Sequence, residues 1–172
     1  GPVSIAGAHF IAALIFLHGL SRAEFGLFSF LLVAVPFCMS LTGSLVGAPL
    51  SNRITSDANV ADGELSTFFK MNILTACFAA VAVFAMMLFA GAPAGAAVLF
   101  GIYGGTMVVR WFARCFAYLG RSPFRAISAD FVYSGALIAA LVTLTLLHGL
   151  TLTAGAIVLP LCALLSLPAF GA

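Results

Sequence analysis

Arg110 and Arg114 stand four residues apart inside a long apolar run, about 40° apart around a helix, with Tyr103, Thr106 and Arg121 within a similar angle of Arg110. On a helix these side chains make one polar stripe. Val108, Phe112 and Cys115 fall on the opposite side. A mid-bilayer arginine costs at least about 2.5 to 3.5 kcal/mol on insertion scales, so such residues line pathways or pair with acids. Two on one face suit an anionic or polar ligand, because the guanidinium fork matches phosphate and carboxylate oxygens. Arg110 lies deepest and reads as a lumen residue. Arg121 reads as a snorkelling anchor at the headgroups, and Arg114 fits either role.

The other reactive side chains are scattered. Asp130 follows Ser128 at the expected start of a span, where it reads as a helix cap or a partner for Arg125, with a proton relay as the alternative. Arg22 and Glu24 suggest a local ion pair. His9 and His18 are nine residues apart, on opposite helix faces, and cannot form one ligand pair. Cys38, Cys77, Cys115 and Cys162 each sit in an apolar run with neither a CxxC pair nor a histidine at metal-ligand spacing, so they read as small buried hydrophobes. No catalytic set, metal site or cofactor is expected. The acidic clusters that hold a metal are lacking, and no Ser, His and Asp fall plausibly at one depth.

The elements that must carry these residues follow from composition. Of the 172 residues, 63% are hydrophobic and 7% charged, against roughly 45 to 50% and 25% in soluble domains. Such a chain cannot build a water-facing surface, and its net charge of +2 is no footprint for nucleic acid. At about 20 residues per span the length leaves room for roughly six. The expectation is an all-α polytopic membrane protein, one bundle over residues 1–172 with spans near 3–20, 27–50, 71–90, 96–119, 130–147 and 152–170. The chain begins Gly1-Pro2 and ends in an apolar stretch, as an excised piece of a longer protein would.

Punctuation supports those bounds. Pro36 predicts a kink in span two. Ser40, Gly43, Ser44, Gly47 and Ala48 recur at intervals of three and four, which lets another helix approach closely in lipid. Ser51 to Lys70 is the one long polar stretch, and its Asp62–Lys70 part predicts a short surface helix running into span three. Gly91-Ala92-Pro93-Ala94-Gly95 predicts a tight hairpin, and His148-Gly149-Leu150-Thr151 another turn. Arg53 and Lys70 flank the link after span two, and Arg114, Arg121 and Arg125 lie at the link after span four. Only Arg22 falls on the other side, so the amino terminus should be cytoplasmic, with three short hairpins outward.

Two stretches resemble a known family. Leu20 to Phe30, with Glu24-Phe25-Gly26-Leu27 at its centre, is similar to the first outer hairpin of polysaccharide biosynthesis flippases, although Ser21-Arg22 stands where that family has proline or glycine. Ala117-Tyr118-Leu119-Gly120-Arg121, leading through Ser122-Pro123-Phe124-Arg125 to Asp130, resembles the link between that family's fourth and fifth spans. In span number, loop lengths and orientation the whole chain resembles the amino-terminal lobe of the multidrug, oligosaccharidyl-lipid and polysaccharide exporter superfamily, whose members carry two six-helix lobes around a central cavity. The resemblance implies a bacterial inner-membrane flippase that turns undecaprenyl-diphosphate-linked oligosaccharide between leaflets for polysaccharide or lipopolysaccharide synthesis, without covalent chemistry. It implies a second lobe, in the same chain or another copy, as partner alongside membrane lipid. It also points to Arg110 and Arg114, with Arg53 behind them and Tyr103 and Thr106 beside them, as the substrate-binding residues, and leaves Asp130 as a possible site of ion coupling. A small-molecule or drug exporter, and a non-catalytic membrane subunit of a synthesis complex, remain the other readings.

Overall fold

A computed structural model describes residues 2–56, 62–120 and 122–171. Arg121 and Asp57 lie outside the described residues. The described chain forms α1 (Pro2–Gly19), α2 (Arg22–Thr42), a π-helical turn (Gly43–Gly47), α3 (Ala48–Ser56), α4 (Asp62–Phe89), α5 (Ala94–Leu119), α6 (Pro123–Leu146), α7 (Leu152–Leu165) and a 3-10 turn (Pro168–Phe170). Six helical stretches are long and apolar enough to cross a membrane, with α2 continuing through the π turn to Ile54 as one of them. The protein is an all-α, multi-pass membrane bundle. Large apolar side chains such as Val33, Phe37, Leu74, Phe78 and Phe89 point outward, as lipid-facing residues do and water-facing ones rarely do.

Local chemistry sets the ends of the helices. Ser21 begins α2 with a capping box: its hydroxyl accepts from the Glu24 amide at 3.3 Å, while the Glu24 carboxylate accepts from the Ser21 amide at 3.0 Å. Glu24 thus serves helix initiation rather than the expected ion pair with Arg22. After α4, Ala92 N–H donates to Met87 O and Gly91 N–H to Leu88 O, a Schellman end with Gly91 at φ +87°. The end of α6 repeats that geometry, but with His148 rather than glycine at φ +52°. Thr151 then caps α7 through Ala154 N–H. Gly19 abuts the Leu150 side chain, so the first and last hairpins meet at one end of the bundle.

α4 begins at Asp62 and runs unbroken into the membrane stretch, as the helix expected there does. The start of span five differs from the sequence expectation. α6 begins at Pro123, not near Asp130, because proline at the first helical position has no N–H to lose and a backbone already set for the helix. In the second span the helix continues through Pro36 and then takes a π turn at Gly43–Gly47.

That turn has a packing reason. A Cβ on Gly43 would lie 3.1 Å from the Trp111 ring, and one on Gly47 would overlap it, so the small residues of α2 receive the indole of α5. α5 packs on α2, α4, α6 and α7. Its glycines bring α4 closest: a Cβ on Gly101 would stand 2.7 Å from Ala80 O, and one on Gly105 3.0 Å from Ala76 O. Val108 and Phe112, opposite the polar stripe, are buried too, which makes α5 the central post of the bundle. The cysteines divide: Cys38 and Cys162 are buried as expected, Cys115 is half-buried, and Cys77 lies on an exposed face of α4.

Candidate functional site

The polar groups of α5 converge on a cavity of about 270 Å³ bounded by α1, α2, α5 and α6. Ile5 and Ala6 of α1, with Leu31, Leu32, Val35, Pro36 and Met39 of α2, form an apolar wall. Facing it are Tyr103, Arg110 and Arg114 from α5, Asp130 from α6 and His9 from α1, with Met107 and Trp111 between them. The cavity therefore has an amphipathic lining, the pattern that a ligand with a polar head and an apolar body requires.

Arg110 is the most constrained of these groups. Its side chain is 3% exposed, and its Nη2 lies 2.8 Å from Asp130 Oδ1. The same nitrogen donates to Ala129 O at 3.1 Å, and Nε donates to Ser166 Oγ at 2.8 Å. The Ser166 hydroxyl passes its own hydrogen to Ala163 O at 2.7 Å. The guanidinium lies 4.4 Å from the centroid of the Tyr133 ring, a cation–π distance. Arg114, 19% exposed, sits farther off: its Nη1 is 3.5 Å from Asp130 Oδ2. That oxygen is buried and accepts no hydrogen bond among the described residues. Two guanidinium groups against one carboxylate leave this wall with one positive charge in excess.

Asp130 is thus neither a helix cap nor a partner of Arg125. With α6 starting at Pro123, it lies two turns inside the helix, facing α5. Beside it runs a second network. The Tyr103 and Tyr133 hydroxyls are 2.9 Å apart, and His9 Nε2 lies 2.8 Å from the Tyr133 hydroxyl and 3.2 Å from that of Tyr103. The T-shaped His9–Tyr133 ring contact closes the junction of α1, α5 and α6. His18, by contrast, is an exposed residue bonded to Leu14 O.

The structure brings Tyr103, Arg110, Arg114 and Asp130 together and leaves two expected residues out. Thr106 turns its hydroxyl back to Ile102 O and lines a shallow apolar groove beside Ala76 and Leu164. The cavity face of α5 runs from Arg110 through Arg114 to Trp111 and is centred near Arg114, so Thr106, about 40° to the other side of Arg110, misses it. Arg53 pairs with Glu64 at 2.9 Å on the α3–α4 surface, away from the cavity. Tyr133, Ser166 and Trp111 were not singled out from sequence, and His9 was weighed only as a ligand pair with His18; only the helical register of Trp111 beside Arg110 hinted at its place.

No protein-family model matches this chain. No curated protein and no solved structure matches it either.

Proposed function

We propose that the protein is a membrane transporter that turns a lipid-linked oligosaccharide, of the undecaprenyl-diphosphate type, across the bacterial cytoplasmic membrane for polysaccharide synthesis. The supporting observation is the amphipathic cavity, where Arg110, Arg114 and Asp130 leave one positive charge facing an apolar wall from α1 and α2. That charge attracts an anionic headgroup while the attached chain lies against Leu32, Val35 and Met39. In low dielectric such a match is far stronger than in water. No covalent step is required. The positive-inside bias puts the amino terminus and the basic links in the cytoplasm. The cavity reaches Pro2 at the start of α1 and so lies toward that side, where a cytoplasmic cargo is loaded. A second six-helix lobe, in the same chain or another copy, completes the pathway in this reading.

A small-molecule exporter is the second reading, favoured by a cavity of about 270 Å³ that matches a compact ligand better than a whole oligosaccharide. The assembly-subunit reading loses its main feature, because Trp111 of the same chain already covers Gly43 and Gly47.

The test is flipping of a fluorescent lipid-linked oligosaccharide by the full-length protein in vesicles, for wild type and Arg114→Gln at matched membrane levels. Loss of flipping in a folded variant supports the reading. Unchanged flipping in that variant removes the cavity from the pathway, and an inactive wild type transfers the proposal to the exporter.

A further inference from the structure

The polar wall of the cavity holds one group that neither the charge pair nor the resemblance accounts for. His9 is the one titratable side chain that α1 contributes to the cavity. Its Nε2 is held by two tyrosine hydroxyls, at 2.8 and 3.2 Å, and those hydroxyls are 2.9 Å from each other. Nδ1 has no partner among the described residues. Nor does it belong to the enclosed polar atoms that lack one, so it keeps some exposure on a residue that lines the cavity.

Hydrogen bookkeeping then selects a tautomer. The two tyrosines bring two O–H hydrogens to a triangle of three heavy atoms. If Tyr103 donates to Tyr133 and Tyr133 donates to Nε2, both hydrogens are used and Nε2 is an acceptor. A neutral imidazole that accepts at Nε2 carries its hydrogen on Nδ1. With the hydroxyl hydrogens so placed, no tyrosine O–H is left without an acceptor, and His9 is a neutral N–H donor on the lining of the cavity. Across the same space Arg110, 3% exposed, commits Nε and Nη2 to Ser166, Ala129 and Asp130 and lies over the Tyr133 ring, whereas Arg114 is looser and 19% exposed.

We infer that the phosphate group of an isoprenyl-phosphate amphiphile is held by Arg114 and the Nδ1–H of His9, with Arg110 acting as a positioning residue that orients Asp130 and Tyr133. This inference rests on the cavity being the site of an anionic amphiphile. One excess positive charge does not balance a diphosphate. A neutral donor opposite Arg114 adds a charge-assisted hydrogen bond without the desolvation penalty of another buried cation.

The experiment uses the full chain in lipid nanodiscs with farnesyl diphosphate as probe, and inorganic diphosphate and farnesol as the two controls. Trp111, the chain's single tryptophan, lines the cavity and reports binding by its fluorescence. The expected result is saturable binding of farnesyl diphosphate, weakened about tenfold or more by His9→Leu and by Arg114→Gln, as loss of a hydrogen bond to a charged group predicts. His9→Asn, which keeps an N–H near the Nδ1 position, should retain most of the affinity. Inorganic diphosphate and farnesol should each bind at least about tenfold more weakly than the probe, since each lacks half of the amphipathic match. Independently of binding, the nitrogen-15 spectrum of labelled histidine should show one ring locked as the Nδ1–H tautomer, released in Tyr103→Phe/Tyr133→Phe. Full binding by His9→Leu alongside lost binding by Arg114→Gln overturns the role of His9 and leaves the transport reading standing. A His9 ring protonated on Nε2 also overturns it, even if His9→Leu fails to fold. No binding by wild type overturns both, and inorganic diphosphate binding as tightly as the probe replaces the amphiphile with a free anion.

Discussion

Arg110 Nη2 lies 2.8 Å from Asp130 Oδ1, one helix away, with both side chains at 3% exposure or less. A charge pair so enclosed is worth little against an apolar pair of the same shape, yet breaking it strands a charge in low dielectric. Arg110→Ala and Asp130→Ala are each expected to destabilise the bundle by about 3 to 5 kcal/mol, and the double variant by less than either single change. Unfolding titrations of the four proteins in detergent check this. Additive losses would mean that the two residues are stabilised by their other partners.

The approach of α4 to α5 rests on absent side chains. A Cβ at Gly101 would stand 2.7 Å from a backbone carbonyl, which cannot swing away as a flexible side chain would. Gly101→Ala is expected to cost about 1 to 3 kcal/mol by overpacking and to lower the melting temperature in detergent. Gly95→Ala on the same helix, where nothing lies within 4 Å, is the control and should not lower it, since alanine there meets no neighbour and loses glycine's freedom in the unfolded chain.

His148 holds a left-handed conformation at φ +52°. Relief of that conformation is worth roughly 1 to 2 kcal/mol, while glycine's extra freedom in the unfolded chain returns roughly 0.5 to 1. His148→Gly is therefore expected to stabilise the protein by about 0.5 to 1 kcal/mol, read as a higher melting temperature, and His148→Val to lower it.

Ser21 and Glu24 satisfy each other's backbone amides at the start of α2. Ser21→Ala should cost about 1 kcal/mol. Thr is the conservative replacement and should recover most of the loss, whereas neutralising Arg22 should have little effect, because Glu24 is engaged by the cap. Thermal unfolding of the three variants separates a cap from an ion pair.

How much of this was legible beforehand depends on the range of the interaction concerned. The membrane class and the number of spans follow from apolar run length, since a bilayer demands it segment by segment. The Gly91 and His148 turns and the convergence of Tyr103, Arg110 and Arg114 follow from backbone geometry within a few residues. The start of α6 was also readable, in Pro123, but the charges of Arg125 and Asp130 argued for a later one. The partners across helices were of another kind. That Asp130 meets Arg110, that two tyrosines hold His9, that Ser166 receives Nε and that Trp111 fills the gap over Gly43 and Gly47 all depend on how far one helix is slid and rotated against the next. Hydropathy is nearly indifferent to that register, because a helix turned in lipid stays apolar outside. The register is chosen by close packing at glycines and by the need of each buried polar group for a partner, and both exist only once the helices are assembled.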